Sequence, residues 1–175
     1  MSRGQWAEEW IEHRCRRLNA SGEAFIRRVT PPAKLVSGPL GPRAFFQGSG
    51  LPDFVGFLCG GRGVLFDVKS TRKRSWAWAE GKNLRTKARQ TLDLERAGEV
   101  FGAVAGLLIG FQSARGDYPT WAWVPWRLLH RVGAGSWTPE DLKEIGAVVW
   151  QERPGEDDAA MLANMVRTDA RTPTR

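Results

Sequence analysis

Proline 52 and aspartate 53 are followed by thirteen residues and then by Asp67-Val68-Lys69. On a strand, residues two apart project to one face, so Asp67 and Lys69 point together. Their neighbours Leu65, Phe66 and Val68 are apolar, which puts two charges where a strand would normally be buried. Between the two groups lies Gly60-Gly61-Arg62-Gly63, a turn that folds Asp53 back beside them. Two carboxylates converging from adjacent strands form an oxygen-rich site for a hard divalent cation, most naturally Mg²⁺, with Mn²⁺ able to substitute. The Val68 carbonyl is a further candidate ligand. Lys69 beside such a metal would position or help activate an attacking water while the cation stabilises charge on a phosphoryl group. The competing reading is a surface hairpin in which Asp67 and Lys69 form an ordinary salt bridge. An isolated D-x-K tripeptide is common; the upstream Pro-Asp, the glycine turn and the apolar flanks together favour the site.

The elements that must carry these residues follow from periodicity. Ala7, Ile11, Cys15 and Leu18 recur on one stripe and predict a helix over about 5–18, ended by Asn19-Ala20-Ser21-Gly22. A short strand is expected over 24–29, stopped by Thr30-Pro31-Pro32. Residues 33–50, rich in glycine and proline, read as a long loop with at most a short strand near 44–47. Residues 53–59 and 64–70 form the expected hairpin. A helix over about 87–99 follows, with Thr86 as N-cap. Residues 103–111 are apolar throughout, as in a strand covered on both faces. A strand at 121–124, a helix from Pro125 to about Val132, a helix start at Thr138-Pro139-Glu140-Asp141 and a last strand at 147–150 complete the order. This succession describes an α/β fold, a mixed β-sheet flanked by helices. Residues 1–150 make one domain, and 151–175 read as a C-terminal tail, partly helical or disordered, with Met161, Leu162, Met165 and Val166 on one helix face.

The chain of 175 residues carries 26 Lys+Arg against 19 Asp+Glu, a net charge of +7 and a pI near 10.1. An anionic partner is implied, nucleic acid first, against the plainer reading of a solvated basic surface. Lys69, Arg72, Lys73, Arg74, Lys82, Arg85, Lys87 and Arg89 crowd one segment. Trp76 and Trp78 among them suit either base stacking or core packing. Two cysteines and two histidines, His13 and His130, lack zinc-ligand spacing, and Cys15 fits the core stripe of the first helix. The turn at Gly60–Gly63 lacks the Lys-Ser/Thr ending of a P-loop. With no apolar run of about 18 residues and no signal peptide at the N-terminus, a soluble cytoplasmic protein without membrane contact is expected.

Taken together, Pro52-Asp53 … Asp67-Val68-Lys69 resembles the motif of the PD-(D/E)xK nuclease superfamily. Residues 24–32 (AFIRRVTPP), 44–56 (AFFQGSGLPDFVG), 64–71 (VLFDVKST) and Arg89-Gln90 resemble, more narrowly, the RecU-type Holliday-junction resolvases over roughly 3–125. The resemblance implies a restriction-endonuclease-like core, a homodimer, Mg²⁺ dependence and paired cleavage of a four-way DNA junction. It assigns metal binding to Asp53 and Asp67, catalysis to Lys69 and a supporting role to Gln90. It also expects an acidic residue from the first helix. At about 100° per residue, Glu8 lies roughly 65° from the centre of the apolar stripe, Glu12 about 105° and Glu9 about 165°. Glu8 at the border is therefore the expected third acid of the metal site. Asp67 stands where the group usually has glutamate, and the segment between Pro32 and Ala44 is short beside the RecU stalk. Lys34 and Arg43 there, with Arg72, Lys73, Arg74, Lys82, Arg85, Lys87 and Arg89, are the expected DNA contacts. The alternatives are a PD-(D/E)xK nuclease acting on flap or duplex DNA, and a non-catalytic junction-binding protein.

Overall fold

The computed structural model describes residues 5–30, 33–38, 41–46, 52–78, 84–112, 118–133, 135–152 and 158–169, with the side chains of 33–46, 84–89 and 168–169 outside that description. Its elements, in chain order, are α1 (Gln5–Ser21), β1 (Ala24–Arg28), β2 (Ala33–Gly38), β3 (Gly41–Phe46), β4 (Phe54–Leu58), β5 (Gly63–Thr71) and β6 (Trp76–Trp78). There follow α2 (Leu84–Phe101), β7 (Val104–Phe111), β8 (Thr120–Pro125), a 3-10 helix (Trp126–Arg131), β9 (Gly135–Trp137), α3 (Pro139–Glu144), β10 (Val148–Gln151) and α4 (Asp158–Asp169). Six strands form one sheet in the order β1-β4-β5-β7-β8-β10. Only β5 and β7 run parallel, because α2 provides the crossover between them. The result is the mixed α/β sheet flanked by helices that the periodicity predicts.

The β4–β5 hairpin closes through Gly60 and Gly61, both at positive φ (94° and 83°), where a side chain would be strained. Leu58 N–H donates to the Arg62 carbonyl at 2.8 Å across this turn. Strand β7 is buried along its whole length, as its unbroken apolar run requires. On one sheet face, Ala7, Ile11, Cys15 and Leu18 of α1 pack on Ile26, Phe54, Phe66 and Val68. On the other, Leu94 and Ala97 of α2 pack on Leu107 and Ile109. Gly98 lets α2 settle onto Trp126, since a Cβ there would fall 2.1 Å from the indole nitrogen.

Several expectations need correction. Helix α2 starts at Leu84, before Thr86, so Thr86 is not its N-cap. Residues 33–38 and 41–46 are not loop but a separate antiparallel hairpin inserted between β1 and β4. The helix expected after Pro125 is a 3-10 helix. Thr138 does cap α3, in a reciprocal capping box with Asp141. Trp76 and Trp78 are buried in a small β6–β9 sheet over the α2-side core, so they pack rather than offer faces for bases. Within 151–175, α4 does not stand apart: Met161, Leu162 and Met165 join the α1-side core. Asp158 takes hydrogen bonds from Arg17 and Arg14, and the buried Glu152 pairs with Arg14 and accepts from the Trp121 indole at 3.1 Å. Among the described residues no helix is long and apolar enough to cross a membrane.

Candidate active site

The acidic cluster forms where β4 begins and β5 runs on alone. Their register ends at Phe54↔Phe66, so Asp67, Val68 and Lys69 extend past the end of β4 while still paired with β7. In the vacated position sits Asp53. Its carbonyl accepts from Val29 N–H at 2.8 Å, tying it to the end of β1. Its own N–H donates to Asp67 Oδ1 at 3.0 Å, and its Oδ2 accepts from Val68 N–H at 2.8 Å. Each aspartate thus holds the other's strand, and the two carboxylates are fixed side by side. Because N–H and C=O of one strand residue point to the same side, the Val68 carbonyl faces this open edge rather than β7.

Lys69 Nζ lies 3.5 Å from Asp53 Oδ2 and 3.9 Å from Asp67 Oδ2. The convergence of the two acids and the ammonium, expected from spacing alone, is therefore present. Asp67 is fully buried, and burial pushes its carboxyl up to about 6; the nearby Lys69 ammonium opposes the rise and the Asp53 carboxylate adds to it. Asp67 Oδ2 is buried without a hydrogen-bond partner. A buried carboxylate oxygen without a donor costs stability on the order of 1–3 kcal/mol, more when charged. An ordinary surface salt bridge does not account for this. A hard cation shared between Asp53 and Asp67 fits the donor set and would satisfy the orphaned oxygen.

Glu8 lies half-buried on α1, but so do Glu9, expected on the solvated side, and Glu12, so burial does not separate the three. Burial raises the Glu8 carboxyl, against the Arg28 guanidinium that lowers it; Asp53 raises it and Lys69 lowers it further, which places Glu8 within electrostatic reach of the cluster. Its direct partner, however, is Arg28 on β1, which also lies 3.5 Å from Glu12. Among the described residues no three His, Cys, Asp or Glu side chains are grouped to hold a metal, so Glu8 is near the Asp pair without completing it. Arg28 is the site residue that sequence reasoning passed over. The alternation of β1, which buries Ala24 and Ile26 against α1, was the signal available.

Gln90 lies half-buried on α2, and among the described residues no hydrogen bond or ion pair joins it to Asp67 or Lys69. Arg72, Lys73 and Arg74 are exposed in the turn that leaves β5 just past Lys69. That turn is shaped by Thr71, whose hydroxyl donates to the Ser75 carbonyl and accepts from Lys73 N–H at 3.0 Å. Lys34 and Arg43 fall on the β2–β3 hairpin and Arg85, Lys87 and Arg89 on the start of α2, but their side chains, and Lys82 altogether, lie outside the described residues.

No family model matches the chain, and no curated protein sequence matches it. Among solved structures, Hjc of Archaeoglobus fulgidus, a Holliday junction resolvase from an archaeal hyperthermophile, is similar. It shares 16% identity over 81% of this chain and 93% of that chain, with a TM-score of 0.45.

Proposed function

We propose that this chain is a Mg²⁺-dependent endonuclease of the RecU-type resolvase kind. It would hydrolyse phosphodiesters in paired strands of a four-way DNA junction, acting as a homodimer so that two sites make symmetric cuts. The observation that carries the reading is the fixed Asp53–Asp67 pair with its orphaned buried oxygen, one ammonium away from an exposed basic turn. A binding protein has no use for carboxylates facing phosphates, since they only repel them.

Asp53 and Asp67 would hold the cation, with the Val68 carbonyl on the same edge and Glu8 at the border. When bound, a divalent cation acidifies water and stabilises charge on phosphoryl oxygens. Lys69 keeps its ammonium between the acids and the approaching phosphate, where it orients the attacking water and offsets the negative charge of the transition state. The resemblance assigns Gln90, on α2, a supporting role. Arg72, Lys73 and Arg74 grip the backbone leading into the site, an interaction that fixes position without reading sequence.

The test is cleavage of a synthetic four-way junction, a fork and a linear duplex at equal concentration, with Mg²⁺ or with EDTA. The reading expects Mg²⁺-dependent paired cuts on the junction and none by the Asp67→Asn variant. Equal cutting of all three substrates would replace the junction assignment by a broader nuclease. Binding without cutting by the unaltered chain in Mg²⁺ would overturn the enzymatic reading.

A further inference from the structure

Glu8 and Glu12 lie one turn apart on α1, and Arg28 of β1 meets both: it pairs with Glu8 and lies 3.5 Å from Glu12. The two acids are not equally served. Glu12 also pairs with Arg16 at 2.6 Å, whereas among the described residues Arg28 is the ion partner of Glu8. Withdrawing Arg28 therefore leaves Glu12 with a partner and Glu8 half-buried without one, which a carboxylate resists unless another cation takes its place.

Arg28 also stands at the edge of the Asp53–Asp67 pair. Alternation along β1 turns it to the α1 face with Ala24 and Ile26, and its Cα lies opposite Phe54, the neighbour of Asp53. The next residue, Val29, donates from its N–H to the Asp53 carbonyl at 2.8 Å. Asp53 and Lys69 both act electrostatically on Glu8. Yet among the described residues no third acid is grouped with the Asp pair, and Glu8 is turned to a guanidinium instead. That guanidinium is not sealed in, its side chain being 33% exposed. An arginine fork takes a phosphate bidentately as it does a carboxylate. A partly exposed ion pair resists such exchange by no more than about fivefold in affinity.

We infer that Arg28 is a positioning residue that couples DNA binding to cation binding. Without DNA it holds Glu8 off the Asp53–Asp67 pair; a backbone phosphate that takes over its guanidinium releases Glu8 to join the pair as a third carboxylate. The inference rests on the proposed nuclease reading and adds to it a reason for the cation centre to be completed on the substrate. The coupling is reciprocal: what DNA adds to cation affinity, the cation adds to DNA affinity.

The experiment is a double-mutant cycle of Mn²⁺ affinity, by isothermal titration of the full chain without DNA, over the wild type, Arg28→Met, Glu8→Gln and the two together. Arg28→Met should bind Mn²⁺ about tenfold more tightly than the wild type, while in the Glu8→Gln background the same change should gain less than about threefold, since no acid is released there. No gain, or equal gains in both backgrounds, overturns the inference, because Arg28 would then act at most as a nearby positive charge. Junction binding in EDTA tests the trigger. Arg28→Met should lower the slope of log affinity against log salt by about 0.9, the loss of one phosphate contact. Glu8→Gln should keep the slope and bind the junction up to about fivefold more tightly, because the guanidinium is already free. An unchanged slope in Arg28→Met overturns the trigger. Should Arg28→Met lose cooperative thermal unfolding, Glu8→Gln decides: junction affinity no higher than that of the wild type overturns the inference. Neither arm involves cleavage. A chain that shows the coupling and cuts nothing contradicts the nuclease reading alone, and a chain that cuts with an additive cycle contradicts the role of Arg28 alone.

Discussion

Replacing Asp67 by Asn should make the protein more stable at neutral pH while removing its proposed chemistry. The wild-type carboxyl is fully buried, one oxygen accepts from Asp53 N–H, and the other has no hydrogen-bond donor. Burial raises it from 3.8 to about 6. Between those two values the folded chain binds a proton that the unfolded chain has released, so stability falls as pH rises through the window and stays low above it. A rise of about two units corresponds to a penalty of about 3 kcal/mol at pH 7–8. Asparagine keeps the shape and the acceptor for Asp53 N–H but carries no charge, so the penalty disappears. For a chain of this length the gain is roughly 5–10 °C in Tm. Thermal unfolding of both proteins in EDTA, from pH 4 to pH 8, checks it: the advantage of Asp67→Asn should be small at pH 4, grow through pH 5 and 6, and be full above about pH 7. An advantage that does not grow with pH, or a variant less stable than wild type at pH 8, would refute the reasoning. Adding Mg²⁺ at pH 8 should then raise the wild-type Tm and leave that of the variant unchanged.

Three further outcomes follow from the same geometry. Lys69→Met should lower junction cleavage by about 10²-fold or more, yet bind Mn²⁺ more tightly in isothermal titration, because it removes an ammonium lying 3.5 Å and 3.9 Å from the two acids. Exchanging Arg72, Lys73 and Arg74 for alanine should reduce the slope of log affinity against log salt by about 0.9 for each phosphate no longer neutralised, measured by junction binding at several ionic strengths. Arg14→Leu leaves Glu152 buried with the Trp121 indole as its donor, and should cost about 3–5 kcal/mol in urea unfolding.

What was legible in the sequence was local or periodic. The glycine turn fixed the β4–β5 hairpin, and the period-two placement of Asp67 and Lys69 fixed their common side. The misses came from long-range partners. Trp76 and Trp78 are buried because β6 pairs with β9, some sixty residues later along the chain. Residues 33–46 hide a hairpin among glycines and prolines, whose strand signal is weak. Arg14 reads as one of several basic residues on a polar helix flank, yet it is buried because Glu152 and Asp158 return to meet it. Arg28 escaped notice for the same reason, since its partner Glu8 lies twenty residues earlier. The end of β4 at Phe54, which gives Asp53 its place opposite Val68, is a property of register and no composition reveals it.

The most direct measurement is anomalous diffraction from a crystal of the chain soaked in Mn²⁺. A peak should lie within coordination distance of both the Asp53 and Asp67 carboxylates, and should vanish in the Asp67→Asn crystal. Saturating Mn²⁺ with no density between those carboxylates would contradict a shared-cation centre and leave the buried acid as a structural charge alone.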